Sequence, residues 1–273
     1  MSFNLVDYAG KTALVVGAAT GMGGATGQLL GKLGARVIAI DIADVSYPVS
    51  ESMKLDLRDR QAIDSAVAGL PKKIDAVFCC AGVADGVPGI MLINFIGQRY
   101  LLDQLLETGR LQRGASVSAI SSVGGMAWMQ NTPQLFEFLD CRDWDSATDW
   151  VAAHEGTDSY AFSKQSWNAY VSREALNYLK KGMRINAILP GPTDTPLARA
   201  NADLWLGFGA EFRKEAGVDP LSAEQMGNTL LFLGSEAASG INGVILLVDY
   251  GHVNCSMTDG WDDPWLGALM PKG

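Results

Sequence analysis

Residues 16–24 read Val-Gly-Ala-Ala-Thr-Gly-Met-Gly-Gly, which spaces Gly17, Gly21 and Gly23 as G-x-x-x-G-x-G with Met22 between the last two. Glycines in that register let a backbone turn tightly and approach a pyrophosphate, whose charge is stabilised by the free N–H groups of a following helix. With 31 glycines in the chain, the pattern also fits a plain tight turn. Asp41 stands 20 residues after Gly21. A carboxylate there accepts hydrogen bonds from the hydroxyls of an adenosine ribose and repels a 2′-phosphate. Further on, Tyr160-Ala-Phe-Ser-Lys164 sets a phenol and an ammonium at i and i+4, on one face of a helix. Ser121-Ser122 adds hydroxyls that can both donate to and accept from a reacting oxygen. A phenol titrates near 10, so it needs a nearby positive charge to act as a base around neutrality. The same Tyr-Lys spacing is commonplace on solvated helices.

These groups work together only if the fold gathers them. Short aliphatic and β-branched runs at 12–16, 36–40, 74–79, 116–120, 185–189 and 244–248 alternate with helical patterns at 23–33, 58–70, 90–106, 160–181 and 222–233. A short third strand is expected near 53–55. The alternation predicts an α/β fold, a single-domain doubly wound parallel sheet of Rossmann type. In such a sheet, ligands bind just past the carboxyl ends of the strands. The glycine loop follows the first strand, Asp41 ends the second, Asp56-Leu57 follow the third and Cys80-Ala81-Gly82 the fourth. Asp56 can accept from an adenine amino group and Gly82 can pass close to the adenosine, although both also fit ordinary turns. No Lys or Arg lies in the glycine loop or in Ile42-Ala43-Asp44, so the expected cofactor is NAD rather than NADP.

The glycine pattern, Asp41, Cys80-Ala81-Gly82 (a variant of Asn-Ala-Gly), Asn94 in a helix, Ser122, Tyr160 with Lys164, and Pro190-Gly191-Pro192-Thr193 follow one another in a familiar order. In this the chain resembles the classical short-chain dehydrogenase/reductase family over nearly its whole length. The resemblance implies that Tyr160 is the general acid/base, that Lys164 lowers its pKa and binds the nicotinamide ribose, that Ser122 rather than Ser121 orients the substrate oxygen, and that Asn94 supports a proton relay. Pro190, Thr193 and Thr195 would complete the cofactor site. Ser122 and Tyr160 lie 38 residues apart, more than is usual in the family. The insertion, residues 126–158, makes the chain similar to a subgroup around bacterial 3α-hydroxysteroid dehydrogenase/carbonyl reductase. There an insert with extra helices occludes one helix–helix interface, which implies a homo-oligomer, a dimer before a tetramer.

Composition narrows the rest. The 273 residues are 48% apolar and 19% charged, enough for a full core. The net charge of -9 argues against nucleic acid and anionic lipid as partners. Asp7 interrupts any secretory leader and no run of 18 apolar residues follows, so a soluble, cytoplasmic chain is expected, away from membranes. Cys79, Cys80, Cys141 and Cys255 lack a C-x-x-C spacing, and His154 and His252 form neither a metal cluster nor a hydrolase arrangement, so no metal is expected. Residues 192–220, rich in Leu197, Leu204, Trp205, Leu206, Phe208 and Phe212, read as a substrate lid, and 253–273 as a C-terminal tail bearing Trp261 and Trp265. The expectation is an NAD-dependent dehydrogenase or carbonyl reductase interconverting a small apolar, cyclic or aromatic alcohol, steroids included, and its ketone. The alternative is a non-catalytic dinucleotide-binding redox sensor or scaffold.

Overall fold

The computed structural model describes residues 6–258, 260–263 and 266. Nine strands occur among them: β1 (Thr12–Val16), β2 (Arg36–Asp41), β3 (Glu51–Lys54), β4 (Ile74–Cys79), β5 (Leu111–Ile120), β6 (Arg184–Pro190), the two-residue β7 (Thr193–Asp194) and β8 (Leu221–Ser222), and β9 (Ile245–Val248). Seven form one parallel sheet in the order β3-β2-β1-β4-β5-β6-β9, while β7 and β8 pair separately. The order reverses between β1 and β4, which opens a crevice at their carboxyl ends.

The centre of the sheet is buried on both faces because its inner strands are mostly apolar. Leu14, Val16, Ile38 and Ile40 belong to one core cluster, and Ala13, Val15, Val37 and Ala39 to another, as the two-residue period of a strand requires. The first cluster packs under α2 (Arg60–Gly69), α3 (Gly97–Glu107) and α6 (Tyr160–Lys180), and the second under α1 (Gly21–Lys32) and α10 (Ala223–Gly234).

Three elements differ from the sequence expectation. β3 begins two residues earlier and ends at Lys54, because only alternate residues of this edge strand are covered. β5 starts at Leu111, its entry disguised by exposed Gln112 and Arg113 and by Gly114 at φ +89°. The helix expected over 90–106 opens with a π turn, Leu92–Ile96, before α3. A π turn adds a residue and re-aims the side chains that follow it.

The stretch 126–158 carries two helices of its own, α4 (Thr132–Asp140) and α5 (Trp144–Ala153), after a 3-10 segment Val123–Asn131. Asp143 caps α5 by accepting from Ser146 N at 2.9 Å. Phe138 of α4 is fully buried, with its ring centroid 5.7 Å from Phe95, 5.2 Å from Trp150 and 5.5 Å from Phe162. The insert is therefore a packed layer against α6 and the π turn. After β7 the lid comprises α7 (Pro196–Ala200), α8 (Ala202–Trp205) and α9 (Ala210–Ala216), and α11 (His252–Met257) follows β9. No described helix is long and apolar enough to cross a membrane.

Candidate active site

The glycine loop owes its shape to two close approaches. Gly17 has φ +83°, and a Cβ there would collide with the Ala81 backbone, while a Cβ on Gly23 would run into the Gly17 carbonyl. Only hydrogen fits at either point, so α1 starts hard against β1 and β4. Thr20 precedes α1 in extended conformation and makes no side-chain cap, which leaves first-turn N–H groups for a ligand anion.

A cleft of about 350 Å³ runs along this edge. Gly17, Gly21, Met22 and Gly23 line it at the loop, Asp41 at the end of β2, Asp56 and Leu57 after β3, and Ala81 and Gly82 after β4. Asp41 accepts from Ala19 N at 2.8 Å and from Ala43 N at 2.9 Å, so the carboxylate is fixed in place with lone pairs to spare. The sequence reading missed Arg58, which also lines the cleft. It grips Asp56 through Nη2 at 2.7 Å and Nε at 3.0 Å, and this hydrogen bonding holds the Asp56 carboxyl below its usual range. Each charge is balanced by the other. The signal was present in Asp56-Leu57-Arg58, two residues beyond the acid that drew attention. Glycine cradle, uncapped helix start and fixed carboxylate together fit a dinucleotide.

A second cavity, of about 330 Å³, holds Ser122, Tyr160, Lys164, Pro190 and Thr193. Met22, Cys80, Gly82, Thr195 and Leu197 line both spaces, so the two communicate. Ser121 is buried, and its hydroxyl donates to the Lys164 carbonyl at 2.9 Å. Ser122 faces the cavity instead, accepts from Gly124 N at 3.0 Å and hydrogen-bonds the Tyr160 side chain. Lys164 is 3% exposed; its Nζ donates to the Ile120 carbonyl at 2.9 Å and lies 5.5 Å from the centre of the Tyr160 ring.

Burial pushes the Tyr160 phenol up to about 12; the Ser122 hydrogen bond pulls it down, and the Asp85 carboxylate pushes it further up. In the chain itself the phenol therefore departs upward, opposite to the lowering the resemblance implied for Lys164. The cause is that desolvation of the buried phenol outweighs the Ser122 hydrogen bond. Desolvation pulls Lys164 itself down to about 8, partly opposed by neighbouring Cys80. Asp85 comes from the loop after β4, and its Oδ1 accepts from Tyr160 N at 2.7 Å, tying that loop to the start of α6.

Asn94 stands outside both cavities. It is fully buried in the π turn; Oδ1 accepts from Val83 N at 2.8 Å, and Nδ2 donates to Val83 O at 3.0 Å and Ser163 Oγ at 3.1 Å. Its carbonyl accepts from Trp167 Nε1 at 2.7 Å. The amide thus braces the loop that follows β4 against α6. Thr195 caps α7 by accepting from Ala198 N at 3.1 Å, and the Thr193 hydroxyl donates to Gly191 O at 2.9 Å.

The lid closes the cavity with Leu197, Ala198, Leu204, Trp205 and Phe208, and the Trp205 ring centroid lies 4.8 Å from that of Tyr160. Phe212 turns away to stack on His252. His154 stacks on Trp150 at 3.9 Å and lines neither cavity.

Comparison with known proteins finds oxidoreductases. The family model described as enoyl-(acyl carrier protein) reductase matches residues 146–253. A coniferyl-alcohol dehydrogenase of Pseudomonas sp. (strain HR199 / DSM 7063) is 27% identical over 88% of this chain and 96% of its own. A 3-alpha-hydroxysteroid dehydrogenase/carbonyl reductase of Comamonas testosteroni is 27% identical over 87% and 95%. The crystal structure of the 3-alpha-hydroxysteroid dehydrogenase from Pseudomonas sp. B-0831 complexed with NADH superimposes with a TM-score of 0.73 at 23% identity, covering 93% of this chain and all of that one. The sheet order, the glycine cradle at its switch point and these similarities over most of the chain converge: the chain is similar to oxidoreductases of the short-chain dehydrogenase/reductase family.

Proposed function

We propose that the protein is an NAD-dependent alcohol dehydrogenase and carbonyl reductase for an apolar, ring-bearing secondary alcohol and its ketone. The observation that carries this reading is one apolar cavity in which a Ser122 hydroxyl, the Tyr160 phenol and the Lys164 ammonium stand together, opening onto a glycine-lined cleft. The alcohol dehydrogenase and carbonyl reductase names of the relatives support the chemistry.

A bound nicotinamide dinucleotide supplies the hydride acceptor for oxidation and the donor for reduction. The cradle, Asp41, Asp56 and Gly82 would hold its adenosine half; Thr193, Thr195, Pro190 and Lys164 its nicotinamide half. Ser122 holds the substrate oxygen by a hydrogen bond. In reduction Tyr160 donates its proton to that oxygen, and in oxidation the phenolate takes the proton back. With its pKa pushed up to about 12, Tyr160 is protonated at neutral pH and ready as the acid. Trp205, Leu204 and Phe208 exclude water and favour a hydrophobic ring over a sugar or a charged acid. Asp41 disfavours a 2′-phosphate by charge repulsion of a few kcal/mol at an effective dielectric of about 20, which selects NAD over NADP.

Tyr160→Phe is expected to lower kcat by about 10²–10⁴-fold while leaving NADH affinity within about twofold, because only the proton-transfer group is lost. Stopped-flow turnover and NADH fluorescence titration on the same preparation read both quantities. Unchanged turnover overturns the assignment, and equal affinity for NADPH and NADH overturns the cofactor choice. A wild type that binds NADH yet turns over no alcohol or ketone of a broad panel favours the sensor or scaffold reading.

A further inference from the structure

The wall of the substrate cavity includes a residue from the far end of the chain. Leu266, 4% exposed, lines it together with Leu204, Trp205 and Phe208 of the lid. Leu266 N donates to Asp263 Oδ1 at 3.3 Å, and Asp263 Oδ2 lies 2.7 Å from His252 Nε2. His252 and Asp263 are 2% and 8% exposed, and a carboxylate and an imidazole are tolerated at such depth because they bond each other.

The same histidine ring holds the lid. Phe208 and Phe212 pack on it with centroids at 5.0 and 4.8 Å, and Trp261 meets Phe212 edge-on at 5.7 Å. Gly209, at φ +65°, begins α9 directly on the ring, and a Cβ there would lie 2.6 Å from His252 Cε1. His252 also opens α11 immediately after β9, where Asp249 accepts from Val253 N at 2.8 Å and anchors the turn to the sheet. One imidazole thus joins three parts of the molecule: the end of the sheet, the lid and the C-terminal segment that carries Leu266. Ring packing and the His252–Asp263 bond make up the device, so it acts by shaping the cavity.

We propose that the buried His252–Asp263 pair is a clasp that seats Leu266 in the cavity wall and fixes α9, making the C-terminal segment the element that limits the size of the admitted alcohol or ketone. The proposal rests on the oxidoreductase reading for its substrate, and on contacts of the chain alone for its geometry. Releasing the clasp opens the wall on the lid side and leaves the dinucleotide cleft untouched.

The test compares wild type with Leu266→Ala, Leu266→Phe and Asp263→Asn on a graded series of secondary alcohols: cyclohexanol, a bicyclic decalol and a tetracyclic steroid alcohol. In Leu266→Ala and Asp263→Asn the ratio of kcat/KM for the larger over the smaller alcohols is expected to rise by about fivefold or more, and in Leu266→Phe to fall, since pocket contacts of methylene size discriminate at this level. NADH affinity is expected to hold throughout. Hydrogen exchange at the Leu266 and α9 amides, read on the NADH complex, is expected to quicken in Asp263→Asn. Ratios that do not move in opposite directions for the two Leu266 variants overturn the size limit, and unchanged exchange overturns the clasp. If the wild type oxidises none of the series while Asp263→Asn still loses protection, the clasp stands, and the oxidoreductase reading and its size limit fall.

Discussion

At the scale of single residues, Tyr160 shows how environment overrides type. A phenol beside a lysine reads as a primed base, yet burial of the phenol leaves it at about 12. Oxidation, which needs the phenolate, should therefore accelerate with rising pH, whereas reduction needs the neutral phenol that predominates below that value. Asp85 adds to the rise because its negative charge disfavours a second negative charge nearby. Asp85→Asn removes that charge, lowers the phenol pKa and should move the pH profile of oxidative kcat/KM toward lower pH. The carboxamide oxygen can still accept from Tyr160 N, so the loop keeps its tie. A profile that stays put, or moves to higher pH, contradicts the electrostatic role given to Asp85.

At the scale of elements, the insert between Ser122, just past β5, and the helix bearing Tyr160 is a structural layer. Phe138 sits fully buried among Phe95, Trp150 and Phe162, and truncating such a ring typically costs about 3–5 kcal/mol. Phe138→Ala should lower the midpoint of chemical denaturation accordingly and also lower turnover, because Phe162 lies two residues beyond Tyr160 on α6. A cost below about 1 kcal/mol would identify the insert as a loosely attached loop, as surface substitutions usually fall in that range. The π turn makes a related point. It buries Asn94 and directs its amide to Val83 and Ser163, so the residue braces the loop that carries Asp85 against the helix that carries Tyr160.

At the scale of the whole molecule, β9 closes one edge of the sheet with Ile245–Val248, all four apolar and all half-buried. Leu176 and Leu179 of α6 are 60% and 57% exposed beside Ala175, whose carbonyl accepts from Asn242 on the approach to β9. A half-buried apolar edge is a surface that a second copy can cover. The insert engages α6 through Arg142, just past α4, on Glu174 and through Asp140 of α4 on Arg173. If the insert blocks a second face, a dimer rather than a tetramer is expected, which sedimentation equilibrium reads directly; a stable tetramer would mean that the insert leaves that face open.

What the sequence by itself determined was set by local rules. The strand and helix periods, the glycine register after β1 and the acid at the end of β2 follow from backbone sterics within a few residues, so the parallel sheet and the line of candidate ligand groups were legible before any coordinates. β3 and the start of β5 were misplaced because an edge strand and a strand broken by a positive-φ glycine do not show the buried period. Tertiary structure alone decided that Ser121 is spent on the Lys164 carbonyl, that Arg58 balances Asp56, and that His252 and Asp263 join the lid to the far end of the chain. Each depends on groups distant in sequence sharing one buried volume. Desolvation there sets both partner and proton affinity, and no spacing along the chain records it.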